Sequence, residues 1–301
     1  MLTVMQEGGW LVAGTDPAEG IANVDARCTE GDPEYTDVYH RVYSLQSFPE
    51  SAHWPEVLDV IGNVIGRPVM PQPQKVARLW FPRYTDHTTP IHQDFVHFQG
   101  SMDNLTCWTP VGDCPSELGG LAVLRGSNRI KRVVDHHFSL GAGSLQVNIT
   151  DHPELEDAWF STDYQVGDTL IFPALTIHMA LPNETDDRLR VSLDNRYQAI
   201  GDPIAEHMLE PHLSNLSPFG WEQVYRDWDS DELKYYWKRE NMTVVPRDFS
   251  YSDSGFDEAI ELARAGNSYA RHHLARFVRR VPDSPEGRRA DQLLREIDKH
   301  D

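Results

Sequence analysis

The sequence predicts a mainly β protein, a β-sandwich or jelly roll with flanking helices and a helical C-terminal appendage. Three observations carry this. Residues 76–198 hold short runs of Val, Ile, Leu, Thr, Phe and Trp broken by Gly, Pro, Asp and Asn clusters, the pattern of many short strands. Helix-spaced apolar stripes lie on either side of that region. The charge is unevenly divided: 27 Lys/Arg against 47 Asp/Glu give a net −20, yet residues 251–301 hold nine basic and ten acidic side chains. The acidity belongs to the first 250 residues, and the shift predicts a boundary between a main domain, 1–250, and an appendage, 251–301.

Trp54–Gly66 reads as one amphipathic helix, with Val57, Leu58, Val60, Ile61, Val64 and Ile65 as its apolar residues. The expected strands are Val76–Phe81, Ile91–Gln99, Leu105–Val111, Leu121–Leu124, Thr169–Phe172, Thr176–Ala180 and Leu189–Gln198. Trp221–Glu240 reads as helical, because Trp221, Tyr225 and Trp228 fall at i, i+4 and i+7, and that stripe is assigned to core packing. In the tail, Ser254-Gly-Phe-Asp257 resembles a capping box. Gly266 then ends the helix, Asn267 caps Ser268–Arg280, and Ser284-Pro285 opens a third helix to near Lys299. The appendage is expected to pack on the main domain; a protein-interaction module is the sharper alternative.

Composition excludes several functions. Hydrophobic residues at 40% suffice for a globular core. The net −20 opposes nucleic-acid backbones, which need clustered Lys/Arg, and anionic membranes alike. Three cysteines, Cys28, Cys107 and Cys114, make no disulfide framework and read as buried small apolar residues in a reducing compartment. Met1–Trp10 lacks the positive start of a signal peptide, and no apolar run nears the ~20 residues of a spanning helix. The expectation is a cytoplasmic protein whose partner is a small-molecule substrate.

Chemistry concentrates in three segments. His92-Gln-Asp94 places two ligands at i and i+2, one face of a strand. Alone it is weak: this composition yields about two such pairs by chance, and His152-Pro-Glu154, in a polar stretch, is read as the decoy. His178 ends a second β-patterned run, Gly167–His178. In Leu189–Gln198, Arg190, Ser192, Asp194 and Arg196 share one strand face while Val191 and Leu193 share the other, as for a strand lining a polar cavity. Two His and one carboxylate with open positions form the facial triad of non-haem Fe(II) oxygenases. A chelating 2-oxo acid fills two open positions and dioxygen the third, and Arg suits the 2-oxo acid's far carboxylate. Ser192 offers a hydroxyl beside it.

These residues resemble the phytanoyl-CoA dioxygenase family of Fe(II)/2-oxoglutarate oxygenases. The matching segments are Thr89–Phe95, Cys107-Trp-Thr-Pro110, Gly119–Asn128, Gly167–Phe172, His178–Asn183 and Arg190-Val-Ser-Leu193, in the family's order. The resemblance implies a double-stranded β-helix (jelly roll, cupin-like), with His92, Asp94 and His178 as iron ligands. It implies that Arg190 anchors 2-oxoglutarate and that Trp108 lies beside it. The implied reaction consumes O2 and 2-oxoglutarate, releases succinate and CO2, and hydroxylates a C–H bond; Asp94 excludes halogenation, whose enzymes carry Gly or Ala there. Departures are Arg125-Gly-Ser-Asn128 where Pro-Gly-Ser-His is usual, Ala180 where a hydroxyl residue is common, and no strand before the first helix, as if the chain started late. Arg188 competes with Arg190 as anchor; the Arg-x-Ser pattern and the strand face favour Arg190. The competing functions are a catalytically silent jelly-roll binding protein and a cupin-like metal enzyme that does not use 2-oxoglutarate. Global acidity favours a small neutral, zwitterionic or cationic substrate over an acyl-CoA, unless Arg78, Arg83 and Arg125 cluster. His97 is assigned a structural role, with substrate contact as the alternative; His136-His137 and His272-His273 are read as solvated.

Overall fold

The computed structural model describes residues 1–30, 32–84, 88–139, 141–155, 157–214, 219–280 and 282–299. It is a mixed α/β fold with helices at both ends; its two larger sheets are antiparallel, and a small two-stranded sheet, Pro203–Ala205 with Thr243–Val245, is parallel. Helices α1 (Leu2–Glu7), α2 (Pro33–Tyr43), α3 (Ser47–Ser51) and α4 (Pro55–Ile65) come first. Only α4 was legible as a helix. Helix α2 buries Tyr35, Val38, Tyr39, Val42 and Tyr43, one face at helical spacing, behind Pro at its first turn. Gly66 ends α4 at φ +77°, where a side chain is disfavoured.

The strands are β1 (Val69–Pro71), β2 (Val76–Trp80), β3 (His92–Gln93), β4 (Leu105–Pro110), β5 (Leu121–Leu124), β6 (His136–Phe138), β7 (Leu145–Val147), β8 (Trp159–Phe160), β9 (Leu170–Pro173), β10 (Ile177–Ala180), β11 (Arg190–Ala199), β12 (Pro203–Ala205) and β13 (Thr243–Val245). The major sheet runs β1-β11-β4-β9, with β2 also on β11; the minor sheet runs β3-β10-β5-β8. One face of the major sheet carries Ala77, Leu79 and Val191 into a core with α1 and α2, and Leu105, Cys107 and Tyr197 into a cluster with α4. The alternate residues, Arg190, Asp194 and Arg196 among them, line a cavity instead.

Three expected elements differ. Ile91–Gln99 is not one strand: β3 stops at Gln93, and Asp94 (φ −59°, ψ −31°) opens the short helix α5 (Phe95–Phe98). Its carbonyl accepts from the His97 and Phe98 amides, so Asp94 acts as a helix start. Trp221–Glu240 is helical only at α6 (Trp221–Val224) and in a 3-10 turn, Tyr236–Arg239. The stripe does pack: Trp221 stacks on Tyr225 at 5.3 Å across the single turn of α6, and Tyr225 meets Trp228 edge-on at 4.6 Å beyond the helix end. Helix α7 (Ser250–Arg264) begins earlier than expected, and the side chain of Ser254, the expected cap, lies outside the described residues. Helices α8 (Ser268–Arg280) and α9 (Pro285–Ile297) match the expectation, Ser284 Oγ accepting from the Gly287 amide at 2.8 Å.

Helices α7–α9 share a core of Phe256, Ala259, Ile260, Ala263, Leu274, Ala290 and Leu293 that also takes in Phe138 of the β6–β7 hairpin. No helix among the described residues is long and apolar enough to cross a membrane. Cys28, Cys107 and Cys114 are free and buried.

Candidate active site

His92 and His178 face each other as cross-strand partners on β3 and β10. Their ring centroids are 4.2 Å apart. Each Nδ1 is within hydrogen-bond distance of a backbone carbonyl, His92 of Pro90 at 2.7 Å and His178 of Thr176 at 3.0 Å. A ring that donates from Nδ1 keeps its Nε2 lone pair free, the tautomer a metal ligand needs. Both Nε2 atoms point at Asp94 Oδ1, at 3.4 and 3.7 Å.

Asp94 arrives by the turn into α5, not along a strand. Its other oxygen, Oδ2, accepts from Thr106 Oγ1 at 2.5 Å and from Arg196 at 3.2 Å. Thr106 and Arg196 are register partners on β4 and β11, so the major sheet holds one carboxylate oxygen and turns the other to the histidines. Burial opposes the charge on Asp94, but the Arg196 guanidinium and the histidines hold its carboxyl well below the usual range. Burial pushes His178 down to about 3. Three lone-pair donors, two ring nitrogens and a carboxylate oxygen, thus converge within 4.8 Å of one another. A cation satisfies that arrangement, and the donor set fits Fe(II) with positions left open.

Arg190 lines the same cavity, which measures about 630 Å³. It is 1% exposed, and no carboxylate among the described residues lies within ion-pair distance of it. Its Nη1 donates to Ser192 Oγ at 2.7 Å, and its guanidinium carbon sits 5.0 Å from the Trp80 ring and 6.0 Å from the Trp108 ring. Its Nε has no hydrogen-bond partner among the described residues. Burial lowers its pKa to about 10, still cationic at neutral pH. Trp108 and Ala180 line the cavity; Ser192 and Arg188 do not.

The proposed arginine cluster does not form. Arg78 lines the cavity but pairs with Glu30 at 3.0 Å and Asp194 at 3.6 Å. Arg83 pairs with Asp186, and Arg125 lies against Phe160. The sequence suggests that both histidine pairs are solvated; the structure differs at His136 and His273. His136 is half-buried because its Nε2 accepts from the Gln93 amide at 3.2 Å, beside the His92 strand, and burial lowers it to about 4. His273 lines the cavity from α8. His97, one turn after Asp94, also lines it; its ring lies 5.3 Å from His92, and its buried Nε2 has no partner. His152 stays apart from the triad in a 3-10 turn region.

The family model for phytanoyl-CoA dioxygenase (PhyH) matches residues 15–191, more than half the chain, a span that holds the triad and Arg190. The chain belongs to the phytanoyl-CoA dioxygenase family. Two members' relatives are hydroxylases by name. The 1-deoxypentalenic acid 11-beta-hydroxylase of Streptomyces exfoliatus is 27% identical over 204 residues, 64% of this chain and 70% of that one. The same-named protein of Streptomyces arenae is 29% identical over 155 residues, 48% of this chain and 54% of that one. The solved epimerase SnoN, in complex with Fe3+, alpha ketoglutarate and nogalamycin RO, is 21% identical with a TM-score of 0.40, covering 56% of this chain and 61% of that one. The chain thus spans just over half of the second hydroxylase and under two thirds of SnoN.

Within the phytanoyl-CoA dioxygenase family resemblance, sequence reasoning missed Thr106 and Arg196 as the pair that orients Asp94. Arg196 had a signal, its place on the Arg190 face of β11. Thr106 had none in a single sequence, because register across strands is not written in either strand alone.

Proposed function

We propose that this chain is an Fe(II)/2-oxoglutarate-dependent dioxygenase that hydroxylates, or otherwise oxidises, a C–H bond of a small molecule. His92, Asp94 and His178 hold the iron. Arg190 pairs with the far carboxylate of 2-oxoglutarate, Ser192 fixes that guanidinium through its hydroxyl, and Trp108 covers it. When bound, Fe(II), 2-oxoglutarate and O2 supply the oxidising chemistry, with succinate and CO2 as co-products. The chain's own part is to fix Asp94 through Thr106 and Arg196, to keep His178 neutral by burial, and to aim both histidine Nε2 atoms at the metal position.

The observation that carries the reading is the convergence of two Nε2 atoms and one carboxylate oxygen, each with its companion atom committed elsewhere. The relatives' hydroxylase activity supports oxidation of a C–H bond. A double-stranded β-helix is the finer architecture we infer, supported by two antiparallel sheets contributing walls to one cavity. We take residues 1–250 as the oxygenase unit and 251–301 as its appendage. Three free buried thiols support a reducing compartment such as the cytoplasm.

Incubation with Fe(II), 2-oxoglutarate and O2 tests the reading by succinate formation. Succinate that depends on iron and disappears in His178→Ala supports it. Neither succinate nor bound iron, with any substrate offered, leaves the silent binding protein; iron-dependent oxidation that survives Arg190→Met leaves an enzyme that does not use 2-oxoglutarate.

A further inference from the structure

The tail helices reach the cavity. Phe256 of α7 and Phe277 of α8 line it, with ring centroids 5.3 Å apart, and Phe138 and Leu145 of the β6–β7 hairpin line it beside them. This largely aromatic end, which also carries His273, Ser284 and Glu286, belongs to the same cavity as the triad. The backbone of Gly143, between β6 and β7, lies against the His97 ring: a Cβ there would come within 2.8 Å of it. Next along the hairpin, Leu145 packs so closely on Gly255 of α7 that a Cβ would again meet it at 2.8 Å. Two polar locks hold the assembly. Glu258 of α7 accepts from the Phe138 amide at 2.7 Å. Gln99, directly after α5, donates to the Asp248 carbonyl at 2.8 Å and accepts from the Asp248 amide at 2.7 Å. The segment that carries Asp94 is thereby fastened to the start of the tail.

Packing alone does not account for this aromatic end. Phe256 is buried in the tail core, but Phe277, which packs against that core, is only half-buried and also lines the cavity. A cavity of about 630 Å³ lies within the ~300–1,000 Å³ of small-molecule sites.

We propose that the tail and the hairpin together form the specificity chamber of the active site, in which Phe277, Phe256, Phe138 and Leu145 grip an apolar carbon skeleton of the substrate remote from the carbon that is oxidised. The appendage is then part of the substrate site, not a docking module for another protein. This deepens the oxygenase reading and rests on it for the word substrate; the chamber itself is tested separately.

The probe is N-phenyl-1-naphthylamine, an uncharged apolar fluorophore small enough for the cavity, titrated into the full-length protein. In parallel, anaerobic calorimetry follows 2-oxoglutarate binding to the Co(II)-loaded protein. The wild type is expected to bind the fluorophore with saturation, Phe277→Ala to weaken it about five- to tenfold, and Phe277→Asp to abolish it. All three are expected to bind 2-oxoglutarate equally, with Tm values within a few degrees, because Phe277 is half-buried. Val166→Asp, a charge placed at an exposed position, is the control and is expected to match the wild type. No saturable fluorophore binding by the wild type, or equal binding by Phe277→Asp, overturns the chamber. Failure of the wild type to bind 2-oxoglutarate overturns the oxygenase reading instead, and the fluorophore arms still decide the chamber.

Discussion

Arg190→Met removes a buried charge and keeps most of the side-chain volume. In the ligand-free fold this guanidinium is compensated by Ser192 Oγ, by the faces of Trp80 and Trp108 and by the longer-range attraction of Asp194. An uncompensated buried charge costs several kcal/mol. Ring faces offset about 1–2 kcal/mol of that and the hydroxyl about 1.5 kcal/mol. About 1–3 kcal/mol of strain is left for the ligand-free protein to carry. The variant is therefore expected to melt about 2–6 °C higher than the wild type without 2-oxoglutarate. Binding moves the opposite way. Loss of a buried charge-assisted pair costs about 2–5 kcal/mol, so 2-oxoglutarate affinity falls at least about 30-fold. Anaerobic calorimetry on the Co(II)-loaded protein reads the affinity, and scanning calorimetry reads the melt. Arg188→Met, outside the cavity, is expected to leave the affinity within about twofold. A variant that binds 2-oxoglutarate within threefold of the wild type, or melts lower without ligand, refutes the assignment of Arg190 as a preformed anion seat.

Co(II) or Zn(II) is expected to raise Tm by relieving the three converging acceptors, with about 2.7 kcal/mol of stabilisation at a hundredfold excess over Kd; thermal melts check this, and His178→Ala should abolish the shift. Arg196→Met and Thr106→Ala each free Asp94 Oδ2, so metal affinity is expected to fall about 10- to 100-fold by competition with a chelating dye, while the fold persists. Burial lowers His178 to about 3 and His136 to about 4, both below the unfolded value. The unfolded chain binds more protons in that window, so stability is expected to fall as pH drops from about 6.5 toward 4, read by urea titration. Lys75 is fully buried, hydrogen-bonded to the Gln72 carbonyl and the Tyr236 hydroxyl, and burial lowers it to about 7. Its contribution rises as pH climbs from about 7 toward the unfolded value, and Lys75→Met should flatten the urea midpoint over that range.

Much of the site was legible because strands alternate. The Arg190–Arg196 face of β11 was readable from its own residues, and β5 was found to the residue. The ligand Asp94 was identified for an incomplete reason. Period-two alternation put it beside His92, whereas the backbone turns into α5 and delivers the carboxylate from a helix start. A four-residue helix is too short to leave a period in the sequence. Similarly, spacing alone made 221–240 look helical, but the helix stops at Val224, ahead of the acidic, turn-forming Asp227-Trp-Asp-Ser-Asp231 stretch that does not resume it. His136 and His273 looked like surface pairs, because nothing local announces that a hairpin and a tail fold over the triad.

Strand β11 hydrogen-bonds to β1, β2 and β4, all synthesised earlier. About 120 residues separate β1 from β11, which at roughly 5–20 residues per second is about 6–24 s of translation. Until then the major sheet has no central strand, and the edges of β1, β2 and β4 stand unpaired. Recovery of native protein from cells should therefore depend on the speed of translation and on holding chaperones more than on final stability. Slower synthesis between β4 and β11 would lengthen the interval in which those edges can find one another on different chains.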